Sequence, residues 1–464
     1  MALGKRSSQR QDVLWVATQE IAQGPGSPFY RRLNACLAQA GFDRWVEQRC
    51  EEFYAGEIGR PGIPPGVYFR MLMIGYLEGL DSERGIAWRC ADSLTLREFL
   101  GYELTKPSPD HSTLSVIRTR MDVETHQEVF TWILQRLAEH GLLKGKTIGI
   151  DATTLEANAA LRSIVGRDTG EGYHEFLTRL AQDSGIQTPT REDLAKLDRQ
   201  RKNKGSNDDW THPSDPDAKI TKMKDGRTHL AHKAEHAVDM DTGATVAVTV
   251  QPADRGDTTS IGPTLCEVME NLSEVSEVSA EHTSDSVKPP MVVREVVIDK
   301  GYHSNGVVCD LEQMGIRSYA SEPKRGRGRR HWKGREAQRR AVYRNRRRIR
   351  GARGRRLLRQ RGELLERPFA HCYQTGRMRR TYLRGHENIL KRLLIHVGAG
   401  NIALMMRTLF GVGTPRALQG CAARVVDAIG RLCRRLAHLI VHQPLINLLR
   451  AVHHVDRPHR LTRA

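Results

Sequence analysis

Two aspartates at the ends of apolar, strand-like segments are the residues best suited to chemistry in this sequence. Asp151 follows the strand-like residues 147–150, and Asp299 follows the largely apolar residues 292–298 and precedes Lys300. Ligand sites in open α/β sheets collect beyond the carboxyl ends of strands. Two carboxylates at such an edge suit Mg²⁺ or Mn²⁺, because hard divalent cations take oxygen ligands and keep waters for a phosphate substrate. For either aspartate alone, a turn or cap is the ordinary alternative.

A third carboxylate is expected from a later helix, where Glu363 and Glu366 are the choices. A helical wheel built on about 100° per residue gives this segment an apolar face, formed by Leu358, Leu365, Phe369 and Cys372. Glu366 falls about 90° from the centre of that face and Glu363 about 150°. The wheel therefore predicts Glu366 at the core boundary and Glu363 in solvent, paired with an arginine. Pro368 is expected to kink or restart this helix.

The elements that must position these carboxylates form a helical part followed by a mixed α/β part. Apolar spacing predicts helices in residues 67–80 and 113–143, with Asp110 as an N-cap. The core side chains expected there are Trp45, Trp88, Phe99 and Tyr102. Further on, the predicted order is a strand at 147–154, an insertion at 165–227 with one or two short helices, a hairpin of residues 229–239 and 244–250, a helix at 258–272, a strand at 292–299, a helix near 305–315 and a strand at 317–320. This order predicts a mixed sheet covered by helices.

Three motifs in this order resemble DDE transposases of bacterial insertion sequences. They are residues 150–158 (IDATTLEAN), residues 297–303 (VIDKGYH), and residues 366–369 (ERPF) followed by 379–385 (RRTYLRG). Residues 59–121 resemble the InsH-type helical domain that precedes such catalytic domains, and the similarity covers roughly residues 10–420. The resemblance implies an RNase H-like mixed sheet with flanking helices. It also implies a catalytic and metal-binding triad, Asp151, Asp299 and Glu366, that holds Mg²⁺ or Mn²⁺ as a pair of ions.

The same resemblance implies what each part of the chain does. Residues 1–140 would be the DNA-recognition domain for terminal inverted repeats, acting in a homodimer, and residues 145–410 would cleave DNA at the element's ends and join it to target DNA. Residues 411–464 would form a helical, basic tail. Related transposases often have a Lys seven residues after the catalytic Glu, where this chain has Tyr373. The residues expected to contact DNA are Lys300, Tyr302, His303, Arg361, Arg367, Tyr373, Arg379, Arg380, Arg384 and Lys391.

The net charge of the 464-residue chain supports a polyanionic partner. The chain carries +19, and residues 324–361 hold 19 of its 73 Lys and Arg with one acidic residue, so that segment alone carries +18. A basic run of this kind suits nucleic acid, and Trp332 and Tyr343 within it could stack on bases or serve as packing anchors. We expect no membrane or small-molecule partner. The scattered cysteines and the N-terminus without a signal-like apolar run predict a cytoplasmic, nucleoid-associated protein.

Several alternatives stay open at this stage. His229, His232 and His236 could suggest zinc, but solvent or sheet-edge histidines are the preferred interpretation, because residues 229 and 232 point to opposite faces of a strand. Asp217, Asp254 and Asp257 are interpreted as turn or cap residues, with some functional chance for Asp257 because it opens a helix beside the sheet. At the level of function, the alternatives are an RNase H-like nuclease that cuts without joining, and a DNA-binding protein that has lost catalysis.

Overall fold

The computed structural model describes residues 26–55, 62–201, 205–223, 226–281, 290–323 and 332–417, with the side chains of 279–281 left out. The expectations for residues 1–25, for the first part of the basic segment (324–331) and for the tail beyond residue 417 lie outside the described residues.

The N-terminal part is helical, as predicted. Its helices are α1 (Pro28–Gln39), α2 (Phe42–Arg49), α3 (Pro65–Glu78), α4 (Glu83–Asp92), α5 (Leu94–Phe99), α6 (His111–Arg120) and α7 (Val123–Glu139). Asp110 caps α6 by accepting a hydrogen bond from the Ser112 N–H at 2.9 Å, which confirms the predicted cap. Asp122 caps α7 in the same way, so two helices replace the single stretch expected over 113–143. Trp88 is 66% exposed, and its assignment to the core was wrong, because Ile86, Ala87 and Cys90 form the buried side of α4.

A six-stranded mixed sheet forms the centre of the second part. Its strands are β1 (Thr147–Glu156), β4 (Lys219–Lys222), β5 (Thr228–Asp239), β6 (Thr245–Pro252), β7 (Glu295–Ile298) and β8 (Arg317–Ala320). Their order is β4-β5-β1-β7-β8, and β6 also pairs with β5. β1 runs antiparallel to β5 and parallel to β7, while β8 runs parallel to β7. The predicted hairpin and strands are therefore present, in a mixed sheet.

Helices account for most of the remaining described chain. The insertion contains α8 (Tyr173–Asp183), α9 (Arg191–Gln200) and a two-stranded ribbon of β2 (Val165–Gly166) and β3 (Trp210–Thr211). After the hairpin come α10 (Asp257–Glu281), α11 (Asn305–Gln313), α12 (Glu336–Arg350), α13 (Ala352–Phe369) and α14 (His386–Phe410). α13 continues through Pro368 and gives way to a π-helical turn, Ala370–Thr375.

One hydrophobic core joins the helical part to the sheet. It extends from Phe29 in α1 to Met406 in α14, and α14 packs against α3, α7 and β6. α14 is the one helix of the described residues that is long and apolar enough to cross a membrane, a possibility that the sequence analysis did not recognise. Since 67% of its apolar window is buried inside the protein, packing accounts for its composition.

Candidate functional site

The register of β1 and β7 places the two predicted aspartates at the same level of the sheet. Thr147 pairs with Glu295, and Gly149 pairs with Val297, in parallel. The same offset carried two residues further brings Asp151 alongside Asp299. Because side chains alternate along a strand, each aspartate shares a face with the residue two positions before it.

Helix α13 covers this face of the sheet. A methyl group added to Gly149 would meet the Leu365 side chain, and Leu365 also belongs to the apolar cluster that contains Val297. The helix that carries Glu366 therefore packs on the same side of the sheet as both aspartates.

Asp151 forms an ion pair with an arginine of that helix. The Arg361 Nη1 donates to Asp151 Oδ2 at 3.0 Å, while Asp151 Oδ1 accepts from the Ala152 N–H at 2.9 Å. Burial raises the pKa of Asp151, the negative charge of Asp299 adds to the rise, and Arg361 opposes it. The net upward direction shows that one arginine does not fully compensate for burying a carboxylate beside Asp299.

A third aspartate lies on the other side of the Asp299 turn. Asp299 Oδ1 accepts from the Gly301 N–H at 2.7 Å. A methyl group added to Gly301 would collide with the Asp257 carboxylate and press against Asp299. Asp257 opens α10 and is paired with Lys233 at 2.6 Å. Its place at the start of the helix that follows the β6 strand was the only signal for it in the sequence.

Glu366 does not join this group. It is exposed, and the described residues contain no set of three or more His, Cys, Asp or Glu side chains placed to hold a metal ion. The predicted boundary position of Glu366 was wrong, because Arg361 and Leu365 occupy the inner face of α13 and leave Glu366 turned to solvent. Glu363 is exposed and pairs with Arg367 at 2.8 Å, as predicted. The three-residue triad stays a prediction.

The chemistry of the aspartate pair fits a divalent cation. Both groups supply oxygen ligands, both are partly open to solvent, and the charge of Asp299 helps to raise the pKa of Asp151. The adjoining turn is compact because Gly301 has no side chain. It is acidic because the Asp257 carboxylate lies against it.

The opposite end of the β1–β7 pair holds a carboxylate of a different kind. Glu295 is 1% exposed, accepts from Thr147 Oγ1 at 3.0 Å, and is paired with Arg353 of α13 and with Arg317. Burial would raise the pKa of Glu295, but these partners outweigh burial and lower it. The local sequence pattern does not indicate this group, because its partners come from β1, β8 and α13.

Helices α12 and α13 carry a basic surface, and α13 also packs on the aspartate face of the sheet. Ten arginines on these helices are exposed, namely Arg339, Arg340, Arg344, Arg347, Arg350, Arg353, Arg355, Arg356, Arg359 and Arg367. Tyr343 is 50% exposed, with the Arg346 guanidinium 5.1 Å from its ring centre and the Trp332 ring 6.4 Å away. Other members of the run are structural, since Arg346 pairs with Glu322.

The residues predicted to contact DNA fall into two groups. Lys300, Arg367, Arg379, Arg380 and Arg384 are exposed, and Arg361 is partly exposed beside Asp151. The other four, Tyr302, His303, Tyr373 and Lys391, are at most 4% exposed.

Internal contacts explain why three of the buried four cannot reach DNA in this conformation. The Tyr302 hydroxyl donates to Glu235 at 2.6 Å, and the Tyr373 hydroxyl is hydrogen-bonded to His236. Lys391 Nζ donates to the Arg118 carbonyl at 3.3 Å. With His303 buried as well, the DNA contacts assigned to these four side chains are corrected to structural positions.

Two of the three strand histidines are also internal. His232 and His236 are fully buried, which corrects their placement in solvent or at the sheet edge. His232 Nε2 lies 3.1 Å from Asp215, and burial lowers the pKa of His236 to about 3, so that the His236 ring is neutral. The β5 strand is covered on this side by the π-helical turn, which the sequence did not reveal.

Comparison with known families identifies the N-terminal part. Residues 20–120 match the sequence model of a family described as Transposase domain (DUF772). The match spans the region of α1 to α6. No curated protein matches the chain. The matched region thus resembles a transposase domain, which supports the transposase predicted from the sequence.

Proposed function

We propose that this chain is a DDE transposase whose second part is an RNase H-like catalytic domain. The observation that carries the proposal is the parallel register of β1 and β7, which leads Asp151 and Asp299 to the same level and face two residues beyond the last paired positions. The resemblance implies one Asp on the first strand of the sheet and one at the end of the fourth. With the short edge strand β4 set aside, β1 and β7 are the first and fourth strands of this sheet in chain order, which supports the proposal. The transposase domain at residues 20–120 supports the same assignment.

Asp151 and Asp299 would hold Mg²⁺ or Mn²⁺, with Glu366 as the third ligand once DNA or metal draws α13 into a different position. When bound, such a cation supplies Lewis-acid activation of an attacking oxygen and stabilises the leaving oxygen. The chain's own contribution is to keep the two carboxylates adjacent, and to place α13 and its arginines over them.

The reaction proposed for this site is phosphodiester cleavage followed by transesterification. In cleavage, a water oxygen bonds to the phosphorus at the element's end as the bond to the 3′-oxygen breaks, which leaves a free 3′-hydroxyl. That hydroxyl oxygen then bonds to a target phosphorus, while a target 3′-oxygen leaves with the proton. Exposed arginines of α12 and α13 would neutralise the phosphates of both strands.

The N-terminal helices would recognise terminal inverted repeats, and two copies would act together on the paired ends. These roles rest on the transposase domain and on the resemblance to InsH-type domains. The protein would act on the nucleoid in the cytoplasm.

The test is a cleavage assay on DNA that carries the element's ends, with Mg²⁺. Asp151→Asn should abolish strand cleavage and leave DNA binding intact, because only the metal-binding charge is removed. Glu363→Gln is the matched control, since Glu363 is an exposed acid of α13 paired with Arg367 on the same helix. Cleavage retained by Asp151→Asn would contradict the assignment, and pre-cleaved ends that fail to join target DNA would indicate a nuclease.

A second assay examines the basic surface. Reversing Arg355, Arg356 and Arg359 to Glu should weaken binding to all DNA sequences and lower the slope of log affinity against log salt by about 0.9 for each phosphate that is no longer neutralised. Unchanged affinity and salt slope would show that these exposed arginines are a solvated surface.

One observation favours a second candidate, a transposase-derived DNA-binding protein without catalysis. Arg361 is already paired with Asp151, and Glu366 is turned to solvent. In that case the chain binds DNA with the salt dependence described above, but neither Mg²⁺ nor Mn²⁺ supports cleavage at any DNA end.

A further inference from the structure

A buried polar network lies beneath the Asp299 turn, on the face of the sheet opposite α13. Lys233 of β5 is 4% exposed, and its Nζ donates to Asp257 Oδ1 at 2.6 Å and to Ser260 Oγ at 2.8 Å. The Arg255 carbonyl accepts a third hydrogen bond at 3.2 Å. The Lys233 ammonium is therefore satisfied by the loop before α10 and by its first turn.

Glu235, two residues along the same strand, connects this network to the Asp299 turn. Glu235 is fully buried and accepts hydrogen bonds from Ser260 Oγ at 2.8 Å, Thr264 Oγ1 at 2.5 Å and Tyr302 Oη at 2.6 Å. Burial raises the pKa of Tyr302 far above its usual value, and the charge of Glu235 raises it further. The Tyr302 hydroxyl therefore keeps its proton and donates a hydrogen bond to the Glu235 carboxylate.

The turn between Asp299 and Tyr302 is held at two points. Tyr302 is fixed from below by Glu235, and Gly301 is enclosed between Asp257 and Asp299 while its N–H donates to Asp299 Oδ1. Lys233 in turn fixes the Asp257 carboxylate. Three separate elements, β5, α10 and the turn after β7, thus determine the position of one Asp299 oxygen.

We propose that Lys233, Glu235 and Tyr302 are positioning residues that hold the Asp299 carboxylate in its metal-binding orientation. The proposal rests on the proposed function for the role of Asp299. Buried charged groups are costly unless fully hydrogen-bonded and add little to stability. By contrast, removal of a group that hydrogen-bonds to a metal ligand and orients it commonly lowers metal affinity or activity by about 10- to 100-fold. A complete network that ends on a metal-facing turn fits the second role.

The first experiment measures Mn²⁺ binding to the full chain by calorimetry. Tyr302→Phe keeps the ring and removes only the donor, and should weaken Mn²⁺ binding by roughly 10-fold or more, while DNA affinity without metal stays unchanged. Lys233→Met should act in the same direction, and Lys233→Arg should restore part of the loss. The control is Asn271→Ala, because Asn271 is a buried residue of α10 whose amide donates to the Val246 carbonyl at 3.0 Å, further along the helix. It should lower the unfolding temperature and leave Mn²⁺ affinity unchanged.

The second experiment follows hydrogen exchange at residues 299–303 without metal. Tyr302→Phe should speed exchange of the Gly301 amide by about 10-fold or more, with little change elsewhere in the sheet. Unchanged exchange at the turn, or unchanged Mn²⁺ affinity in a folded Tyr302→Phe protein, would overturn the positioning role. A wild-type chain that neither binds Mn²⁺ nor cleaves DNA would overturn the proposed function instead, while the exchange result would still decide whether the network holds the turn.

Discussion

The two ends of the β1–β7 strand pair hold carboxylates, Glu295 and Asp151, whose pKa values shift in opposite directions. At one end, Glu295 is buried and matched by Thr147, Arg353 and Arg317, and its pKa is lowered even though burial alone would raise it. At the other end, Asp151 and Asp299 lie side by side with Arg361, and the pKa of Asp151 is raised. The difference separates a carboxylate that is matched by structural partners from a pair whose burial is not fully compensated, and the second is the pair that the proposal assigns to a metal ion.

Helix α13 makes this comparison sharper, because it spans both ends. Arg353, in its first turns, pairs with Glu295, and Arg361, two turns later, pairs with Asp151. Arg353 belongs to the group of structural partners around Glu295. Arg361 contacts the Asp151 oxygen for which the proposed metal ion would compete.

The largest effect on stability is expected at the structural end. Glu295→Ala should lower the free energy of unfolding by about 2 kcal/mol, at the low end for a broken buried pair, because the arginine partners can reach water. Asp299→Asn should change the free energy of unfolding by less than about 0.5 kcal/mol. Urea unfolding at neutral pH in EDTA measures both. Equal losses in the two variants would remove the distinction between the ends.

A smaller change of opposite sign is expected at Asp151. Asp151→Asn should raise the free energy of unfolding by about 1 kcal/mol in EDTA, because replacing a strained functional charge commonly stabilises a protein by this amount. Saturating Mn²⁺ at about 100 times its Kd should add about 2.7 kcal/mol to the wild type and nothing to Asp151→Asn. Destabilisation of Asp151→Asn in EDTA would show that Asp151 is a structural carboxylate like Glu295.

The pH dependence of stability should separate the two ends as well. The pKa of Glu295 is lowered in the folded chain, so its stabilisation is present above the ordinary carboxyl range and is lost as the pH falls through the folded pKa. The pKa of Asp151 is raised in the folded chain, so the free energy of unfolding decreases as the pH rises through the folded pKa of Asp151.

Urea unfolding in EDTA from about pH 3 to 7 tests these directions. Glu295→Gln should reduce the loss of unfolding free energy that occurs as the pH falls. Asp151→Asn should remove the loss of unfolding free energy that occurs as the pH rises through the folded pKa of Asp151. Stability curves of the two variants that parallel the wild-type curve would contradict the assigned pKa directions.

The smallest effect is expected from the two arginines. Arg361→Gln should strengthen Mn²⁺ binding a few-fold, because it removes a competing cation, and should weaken DNA binding by the equivalent of about one neutralised phosphate. Arg353→Gln should lower the unfolding temperature and leave both Mn²⁺ and DNA affinity unchanged. Identical Mn²⁺ affinity in wild type and Arg361→Gln would exclude competition between Arg361 and the metal.

The sequence predicted the strands and the aspartates well, because both depend on local pattern. The apolar runs before Asp151 and Asp299 define β1 and β7, and β8 has the predicted bounds. The predictions that were wrong concern side chains whose positions depend on contacts between distant segments of the chain. Tyr302, Tyr373 and Lys391 look like exposed polar groups in the sequence, but Glu235, His236 and Arg118 bind them inside the protein.

Glu366 shows the limit of a helical wheel. Its angular position predicted a boundary residue, but the wheel does not show which face of α13 the sheet selects. That choice is made by Arg361 on Asp151 and by Leu365 beside Gly149, which together turn Glu366 outward.

The most direct test of the central claim is a calorimetric titration of the full chain with Mn²⁺. The account predicts binding by the wild type and by Glu363→Gln, and loss of binding in Asp151→Asn and in Asp299→Asn, all folded by circular dichroism. Wild-type affinity for Mn²⁺ in either aspartate variant would contradict the claim that these two strand-end carboxylates share a metal.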